Sequence, residues 1–306
     1  MNIASTPHLP HVLVLLATFN GARWLDEQLE SIVEQRGVRV SVRVADDGST
    51  DDTVARVQRW IARHPSITLV PNAGHRLGAA GSFLRLLRDA PLEHVDCVAF
   101  ADQDDVWPLW RLARAAEQMK LHAAAGYSSD AWAFWADGRQ RRLGKSHPQR
   151  EFDYLFEPAG PGCTYVLACK LVAAAQCDLK IDPGRFDGLG YHDWWLYAFA
   201  RVHRFPWHID SEPTVMYRQH GANELGANFG VGGVRRRWGR LTGGWFREQV
   251  LRIGDQWPGP HRAVLARLQR LAWGDRAWLA WRVRALRRRP RDQLALAAML
   301  MLGVLR

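Results

Sequence analysis

The sequence has little lysine and cysteine, and it lacks the glycine-rich motifs that bind phosphate in many nucleotide-binding proteins. Only four of its 41 basic residues are lysines, so arginine supplies nearly all the positive charge of a chain with a formal net charge of +10. The four cysteines form no Cys-x-x-Cys pair, which argues against a zinc-binding module. The pattern Gly-x-x-x-x-Gly-Lys-Ser/Thr does not occur, which excludes a P-loop nucleoside triphosphatase.

Long hydrophobic runs are also missing. The longest apolar stretch covers residues 294–305, which is short of the ~20 residues that span a bilayer. The first ten residues show no basic segment followed by a long apolar one, so we expect no signal peptide. We therefore predict a cytoplasmic protein, either soluble or attached peripherally to the inner face of the cell membrane.

Charge is distributed unevenly along the chain of 306 residues. Residues 231–306 contain 17 arginines and four acids, a formal charge of +13, which leaves −3 for the first 230 residues. A glycine-rich stretch, residues 221–233, lies near the change in composition and is typical of a joint. We predict an α/β domain over residues 1–226 and an Arg/Trp-rich helical extension over residues 227–306.

Strand and helix patterns alternate in the first 110 residues. Apolar or alternating segments predict four strands, at residues 12–17, 38–45, 67–70 and 95–101. Amphipathic segments predict helices between them, at residues 22–35, 53–63 and 78–87. The alternation predicts an α/β fold with a doubly wound, mostly parallel sheet flanked by helices. Ligands of such sheets bind at the carboxyl ends of the strands.

Two of these strands end in clustered acids. Asp46 and Asp47 follow the second strand, and Asp102, Asp104 and Asp105 follow the fourth. Taken alone, both clusters are equally well explained as solvated turns with helix-capping acids. Three carboxylates in four residues can also hold a divalent cation such as Mg²⁺, and an acid at the second strand can accept a hydrogen bond from a nucleoside.

A nicotinamide-dependent oxidoreductase also has an acid at the end of its second strand. That class needs Gly-x-Gly-x-x-Gly after the first strand, where residues 17–21 of this chain read Ala-Thr-Phe-Asn-Gly. The missing glycines disfavour this class. Without a glycine cradle, the charge of a diphosphate must be met by a metal, which the second acid cluster could hold.

Several motifs, in order, resemble the signature series of family 2 glycosyltransferases, which have the GT-A fold. The motifs are Ala-Thr-Phe-Asn-Gly at 17–21, Ala-Asp-Asp-Gly-Ser-Thr-Asp-Asp-Thr at 45–53, Phe-Ala-Asp-Gln-Asp-Asp-Val-Trp at 100–107, Gly-Cys-Thr at 162–164, His-Asp-Trp-Trp at 192–195 and Tyr-Arg-Gln-His-Gly at 217–221. The series is similar to the bacterial rhamnosyltransferase-like branch, which builds cell-surface polysaccharides such as O-antigen. The resemblance covers about residues 11–226 and leaves out the arginine-rich segment.

The resemblance implies a nucleotide-sugar donor, a dTDP-, UDP- or GDP-sugar, and Mg²⁺ or Mn²⁺ as cofactor. It implies donor contacts from six residues: Thr18, Asn20, Asp46, Asp47, Gly78 and Asp102. It implies metal ligation by Asp102, Asp104 and His220, with Asp105 assisting. From the residues alone, a single histidine in a loop rich in glycine and asparagine, such as His220, is more often an ordinary polar surface residue.

The resemblance also places the catalytic base of an inverting enzyme at Asp193. His192, Cys163 and Trp194 are then candidates for the acceptor side of the site. The residues alone also allow purely structural roles at these positions. Asp193 can be a helix-terminal acid, Cys163 a packed thiol, and Trp194 a core aromatic, because aromatic residues at helical spacing are more often buried.

The basic segment shows apolar stripes at helical spacing between its arginines, and it contains six tryptophans. Basic helices with tryptophans are typical of segments that lie on an anionic membrane surface, where this one would meet a glycan or lipid-linked acceptor. A helical subdomain that packs on the α/β unit, with a solvated arginine face, is the alternative. No nucleic-acid-binding motif is present, so we expect no nucleic-acid partner.

Together these observations predict a metal-dependent, inverting glycosyltransferase. The alternative from another class is a non-catalytic peripheral membrane or polyanion-binding protein built on a degenerate transferase scaffold. Retention of the complete acid series argues against that alternative.

Overall fold

The computed structural model describes residues 9–221 and 243–305. Its strands, in chain order, are β1 (His11–Thr18), β2 (Arg39–Asp46), β3 (Ile67–Leu69), β4 (Cys97–Ala101), β5 (Gly126–Ser129), β6 (Ala131–Trp135), β7 (Gln140–Leu143), β8 (Val166–Ala168), β9 (Trp207–Asp210) and β10 (Met216–Gln219). All four predicted strands are present, and each boundary lies within two residues of the prediction.

α-Helices lie between and after these strands in the described ranges. They are α1 (Leu25–Val33), α2 (Thr53–Arg63), α3 (Gly78–Arg88), α4 (Arg111–Leu121), α5 (Asp153–Phe156), α6 (Cys169–Ile181), α7 (His192–Val202), α8 (Trp245–Gly254), α9 (Arg262–Arg270), α10 (Trp273–Trp281), α11 (Val283–Leu286) and α12 (Pro290–Met301). No helix in the ranges covered by the structure is long and apolar enough to cross a membrane.

The first helix begins later than predicted. Residues 21–24 form a turn in which the carbonyl of Gly21 accepts hydrogen bonds from the backbone N–H groups of Trp24 and Leu25. The apolar spacing that predicted a helix from residue 22 therefore includes this turn, and the helix starts at Leu25.

A seven-stranded sheet in the order β3-β2-β1-β4-β8-β5-β9 forms the centre of the fold. Strand β8 pairs antiparallel with both of its neighbours, and the other pairs in this sheet are parallel. The predicted doubly wound, mostly parallel sheet is therefore confirmed. A second, three-stranded sheet has the order β10-β6-β7.

Strand β1 is buried on both faces of the central sheet because its sequence is apolar almost throughout. Leu13 and Leu15 point into one core layer, with α3 and α7, and Val14 and Leu16 point into the other, with α1 and α4. This is the pattern of a parallel strand covered by helices on both sides. Adjacent parallel strands then end at one edge, where Thr18 of β1 lies opposite Asp46 of β2.

The C-terminal helices pack on the α/β unit and share its core. Leu265, Leu286 and Leu296 are buried in the same apolar cluster as Leu15 and Phe100 of the sheet. The packed alternative for the basic segment is thus present in the structure. The predicted boundary between residues 226 and 227 lies outside the described residues, as does the glycine-rich joint beyond residue 221, so both stay predictions.

Candidate active site

The loops after β1 and β2 are fastened together at the carboxyl edge of the sheet. The hydroxyl of Thr18 donates to Oδ1 of Asp46 over 2.9 Å, and both residues are buried. Oδ2 of Asp46 accepts hydrogen bonds from the backbone N–H groups of Gly48 (3.1 Å) and Ser49 (2.8 Å). The Asp46 carboxylate is therefore fixed in orientation at the end of its strand.

Asn20 joins the same two loops from the other side. Its backbone has φ +48°, a left-handed conformation that asparagine adopts more readily than most residues. Its backbone N–H donates to the hydroxyl of Ser49, and its side-chain oxygen accepts from the backbone N–H of Thr50, both over 2.8 Å. Asn20 thus shapes the turn beside Asp46.

Asp47 holds the start of helix α3. Its two carboxylate oxygens accept hydrogen bonds from the backbone N–H groups of Leu77 (2.7 Å) and Gly78 (2.9 Å). Gly78 has φ +68°, which a side chain would strain. The guanidinium of Arg76 lies 3.8 Å from Asp47 and stacks on the ring of Phe19. These contacts connect β2, α3 and the loop after β1.

Gln103 is a site residue that the sequence analysis did not single out. Its side-chain oxygen accepts from the backbone N–H of Phe19 (2.8 Å), and its amide donates to the carbonyl of Phe19 (3.0 Å). A Cβ at Gly21 would collide with this side chain. Gln103 therefore ties the acid cluster after β4 to the loop after β1. Its position between two strand-end acids was the available signal.

Asp102, Asp105 and Cys163 form a candidate cation site, with one ligand atom from each lying within 4.8 Å of the others. Burial, followed by the charges of Asp104 and Asp102, raises the pKa of Asp105 well above its usual range. Oδ2 of Asp105 is buried and has no hydrogen-bond partner among the residues that the structure describes. A cation would satisfy this oxygen and relieve the repulsion, so the cluster fits Mg²⁺ or Mn²⁺.

Cys163 contributes to this cluster as a neutral thiol. Burial, followed by the charge of Asp105, raises its pKa well above the usual range. A protonated sulfur is a poor ligand for Mg²⁺, which prefers oxygen. Cys163 is therefore better described as a buried neutral neighbour of Asp105 than as a ligand of the cation. Its buried position also agrees with the packed-thiol alternative.

Asp104 faces His220 instead of the other two acids. Nε2 of His220 lies 2.6 Å from Oδ2 of Asp104, and the imidazole stacks on Trp24 with ring centroids 3.9 Å apart. Arg218 holds this arrangement, because its backbone N–H donates to Asp105 and its guanidinium donates to the carbonyl of Asp104. The structure thus brings together all four candidate metal-binding residues of the sequence analysis, in two adjoining groups.

A buried arginine, which the sequence patterns did not indicate, contacts the cluster through Cys163. Arg111 is fully buried, stacks on Trp107 with its guanidinium 3.4 Å from the ring centroid, and donates to the carbonyl of Cys163. Burial lowers its pKa to about 10, so it remains cationic at neutral pH. Its charge lies close enough to Asp105 to offset part of the negative potential of the acids.

Asp193 lies in the first turn of α7, next to the turn that carries Cys163. Burial raises its pKa to about 6, while the backbone N–H of Trp194 and the charge of Lys145 act in the opposite direction. Gly162 permits this approach. A Cβ there would lie 2.8 Å from Nε2 of His192 and 3.1 Å from Cβ of Asp193. Residues 162–163 therefore link the predicted base to the acid cluster.

The other two acceptor-side candidates flank Asp193 and differ from it in character. Burial lowers the pKa of His192 to about 3, and its imidazole stacks on Phe83, so the ring is neutral at physiological pH. Trp194 is buried, and its indole N–H donates to the carbonyl of Tyr154. This position agrees with the core reading of Trp194, and a role for it on the acceptor side stays a prediction.

Comparison with known proteins defines the class. The model of glycosyl transferase family 2 matches residues 13–169. The dTDP-rhamnosyl transferase RfbG of Shigella flexneri is 37% identical over 241 residues, which cover 78% of this chain and 83% of that protein. The chain belongs to glycosyltransferase family 2, and it is a glycosyltransferase of the rhamnosyltransferase-like kind.

Solved structures agree with the fold. The TarS 1-349 fragment of S. aureus in complex with UDP-GlcNAc matches with a TM-score of 0.58 at 14% identity, over 96% of this chain and 89% of that one. The mannosyltransferase PcManGT from Pyrobaculum calidifontis, in complex with GDP-Man and Mn²⁺, matches with a TM-score of 0.52 at 19% identity, over 97% and 88%. The fold is that of the GT-A glycosyltransferases.

Proposed function

We propose that this glycosyltransferase transfers rhamnose from dTDP-rhamnose to a hydroxyl of a glycan or lipid-linked acceptor, with inversion at the anomeric carbon. The similarity to a dTDP-rhamnosyl transferase over most of the chain supports the donor. The acceptor would belong to a cell-surface polysaccharide such as O-antigen, assembled at the inner face of the membrane. UDP- and GDP-sugars are the alternative donors.

One observation carries the proposal. Carboxylates that are far apart in the sequence lie on loops that contact one another at one edge of the sheet. Asp46 connects to the loop after β1, Gln103 connects that loop to the acid cluster, and residues 162–163 connect the cluster to Asp193. The groups that we propose to bind the donor and to act as the base thus lie on loops joined by a continuous series of contacts.

Asp102 and Asp105 would hold Mg²⁺ or Mn²⁺, with Asp104 and His220 beside them. When bound, the divalent ion neutralises negative charge on the diphosphate leaving group. Asp46 and Thr18 would contact the nucleoside, and Asp47 with Gly78 would fix the start of α3 near the donor. Arg111 lowers the negative potential that the donor must approach.

Asp193 would act as the general base. Its carboxylate takes the proton of the acceptor hydroxyl, the acceptor oxygen forms a bond to the anomeric carbon, and the bond from that carbon to the phosphate oxygen breaks. The electron pair of the broken bond leaves with the nucleoside diphosphate. A base with a pKa of about 6 is ionised at neutral pH and remains basic enough to accept the proton.

The donor is tested by thermal melting of the full-length protein with dTDP-rhamnose, UDP-GlcNAc, GDP-mannose or NAD, each with Mg²⁺, Mn²⁺ or EDTA. We expect dTDP-rhamnose with a divalent ion to give the largest shift, because the proposed donor should have the lowest dissociation constant. A ligand at 100 times its dissociation constant stabilises the native state by about 2.7 kcal/mol. Chromatography of released dTDP in the same samples separates a transferase from a non-catalytic binder.

Two variants make this test specific. Asp46→Ala should abolish the dTDP-rhamnose shift, whereas Asp137→Ala, at an exposed turn, should retain it. A shift with NAD alone, or no shift with any nucleotide sugar, would overturn the proposal.

A further inference from the structure

Helix α12 is apolar on both of its faces. Its inward face is buried in the main core through three residues, Leu296, Met299 and Leu300. On its outward face Leu294 is 73% exposed and Met301 is 51% exposed, and Leu302, which follows the helix, is 76% exposed. Surface helices of globular proteins normally carry polar residues on the outward side. This one presents an exposed apolar stripe, in which residues 294, 298 and 301 follow helical spacing.

Helix α10 adds two tryptophans to this surface. Trp273 and Trp281 are 76% and 80% exposed. Gly303, just after α12, lies against the guanidinium of Arg276 in α10, so the end of α12 lies beside the first half of α10. The two helices therefore run side by side with exposed apolar residues along both. We call this surface the α10–α12 face, and its members are Trp273, Trp281, Leu294, Met301 and Leu302.

The α10–α12 face is unusual for this molecule. The described residues include ten large apolar side chains that are exposed, and five of them form this face. The others are scattered over the α/β unit: Leu9, Trp110, Leu121, Trp132 and Ile181. Single exposed apolar residues are ordinary, but a cluster of this kind marks a binding surface.

Arginines border the face. Arg284, three residues after Trp281, is exposed. Arg291, three residues before Leu294, has a side chain that is 61% exposed and lies 3.5 Å from the carboxylate of Asp292. A second copy of this chain would bring its own arginines against these ones. An anionic surface would be attracted to them instead, and tryptophan is favoured where lipid meets water.

The face is also connected to the predicted base. The loop before α12 is fixed on the α/β unit, because Arg287 donates to the carbonyl of Phe156 and the backbone N–H of Arg288 donates to Glu157. Helix α5, which contains Phe156, also accepts a hydrogen bond from the indole N–H of Trp194 of α7 through the carbonyl of Tyr154. The α10–α12 face is thus connected through α5 to the helix that carries Asp193.

We propose that the α10–α12 face docks on an anionic lipid bilayer, with its apolar side chains in the interface and Arg284 and Arg291 on the lipid phosphates. The presentation of a lipid-linked acceptor to Asp193 rests on the proposed function. Docking itself does not depend on it, because the face and its charge are independent of the donor.

Vesicle co-sedimentation of the full-length protein tests the docking. Vesicles of phosphatidylcholine with about one quarter phosphatidylglycerol are compared with pure phosphatidylcholine, each at low and high salt. We expect binding to the anionic vesicles only, weakened by salt. Arg284→Gln with Arg291→Gln should lower the partition coefficient about 25-fold, since each arginine near an anionic surface contributes roughly fivefold. Trp281→Ser with Leu294→Ser should lower it by at least roughly tenfold.

A matched control uses two exposed apolar residues of the α/β unit, Leu121→Ser with Ile181→Ser, which are 70% and 77% exposed in the wild type. This variant should bind vesicles like the wild type. No wild-type binding to anionic vesicles, equal loss in the control, or a dimer that the face variants disrupt would overturn the inference. Donor-induced melting shifts need no vesicles, so failure of docking and failure of the proposed donor are distinguishable.

Discussion

The carboxylates of the site differ in how many of their oxygens the protein already uses. Both oxygens of Asp46 and of Asp47 accept hydrogen bonds from neighbouring loops. Asp105 keeps one buried oxygen without a partner among the described residues. Asp193 is buried with a raised pKa. Asp46 and Asp47 thus stabilise the loops, whereas the burial of Asp105 and Asp193 destabilises their ionised forms. Carboxylates with pKa values raised in this way are typical of functional sites.

The raised pKa of Asp193 predicts a pH-dependent stability cost. Its pKa is about 6 in the folded protein, against 3.8 as the ordinary value. The folded state therefore holds the proton more tightly, and stability falls as pH rises from about 4 to about 6. Asp193→Asn removes this cost. We expect the variant to be more stable by up to about 3 kcal/mol at pH 7.5, and no more stable than the wild type near pH 4.

Urea unfolding at the two pH values measures this difference. The same substitution at the exposed Asp137 serves as the control and should leave stability nearly unchanged at both values. Equal stability of Asp193→Asn and wild type at pH 7.5 would contradict the burial of an ionised carboxylate at this position.

At the residue scale, the sequence predicted the acids of the site but not the residues that hold them in place. Asp46, Asp102 and Asp104 stand out because they end apolar strands, which is a local pattern. Gln103 was marked only by its position between two of these acids, and Arg111 by no local pattern. Gln103 acts by pairing with a backbone 84 residues away, and Arg111 by being buried beneath the cluster. Both roles depend on tertiary contacts that no local spacing encodes.

At the scale of elements, the loop between α11 and α12 fixes the C-terminal helices to the α/β unit. Arg288 is buried, and its guanidinium lies 3.6 Å from both Asp153 and Glu157. Asp153 also pairs with Arg201 of α7 and accepts a hydrogen bond from Tyr197. An arginine of the C-terminal segment thus neutralises Asp153 and Glu157, which lie at the two ends of α5, close to the helix that carries Asp193.

Removing this buried cation should be costly. Arg288→Met leaves the carboxylates of Asp153 and Glu157 buried with less compensation, and we expect the free energy of unfolding to fall by about 3 kcal/mol. Arg284→Met, at an exposed position in the preceding helix, should change it by less than about 0.5 kcal/mol. Urea unfolding of both variants measures the difference. Equal effects of the two substitutions would contradict a packing role for Arg288.

Strand prediction succeeded where the pattern was local. The continuous apolar run of β1 and the alternation in β2 follow from burial against helices, so their bounds were nearly right. Strand β8 has only three residues, and its antiparallel place between β4 and β5 depends on pairing between distant segments. The small sheet of β6, β7 and β10 was likewise not predicted, although β10 leads directly to His220.

For the whole molecule, the opposite charges of the two parts of the chain have a structural consequence. The first 230 residues carry −3 and the rest +13. Arg282, Arg287 and Arg288 form ion pairs with Glu151, Glu157 and Asp153. From the sequence alone, the basic segment is compatible both with packing on the α/β unit and with lying on a membrane. The helices do pack on it, and the outward face that remains is the one proposed to meet lipid.

The central claim is that the strand-end acids bind a nucleotide sugar while Asp193 provides the base. The most direct measurement compares the donor dissociation constant and the maximal rate of dTDP release from dTDP-rhamnose in the wild type, Asp193→Asn and Asp137→Asn. We predict that Asp193→Asn keeps the dissociation constant within about twofold but lowers the rate about 100- to 10,000-fold, as expected for loss of a general base. Asp137→Asn should match the wild type. A near-normal rate in Asp193→Asn would contradict the account.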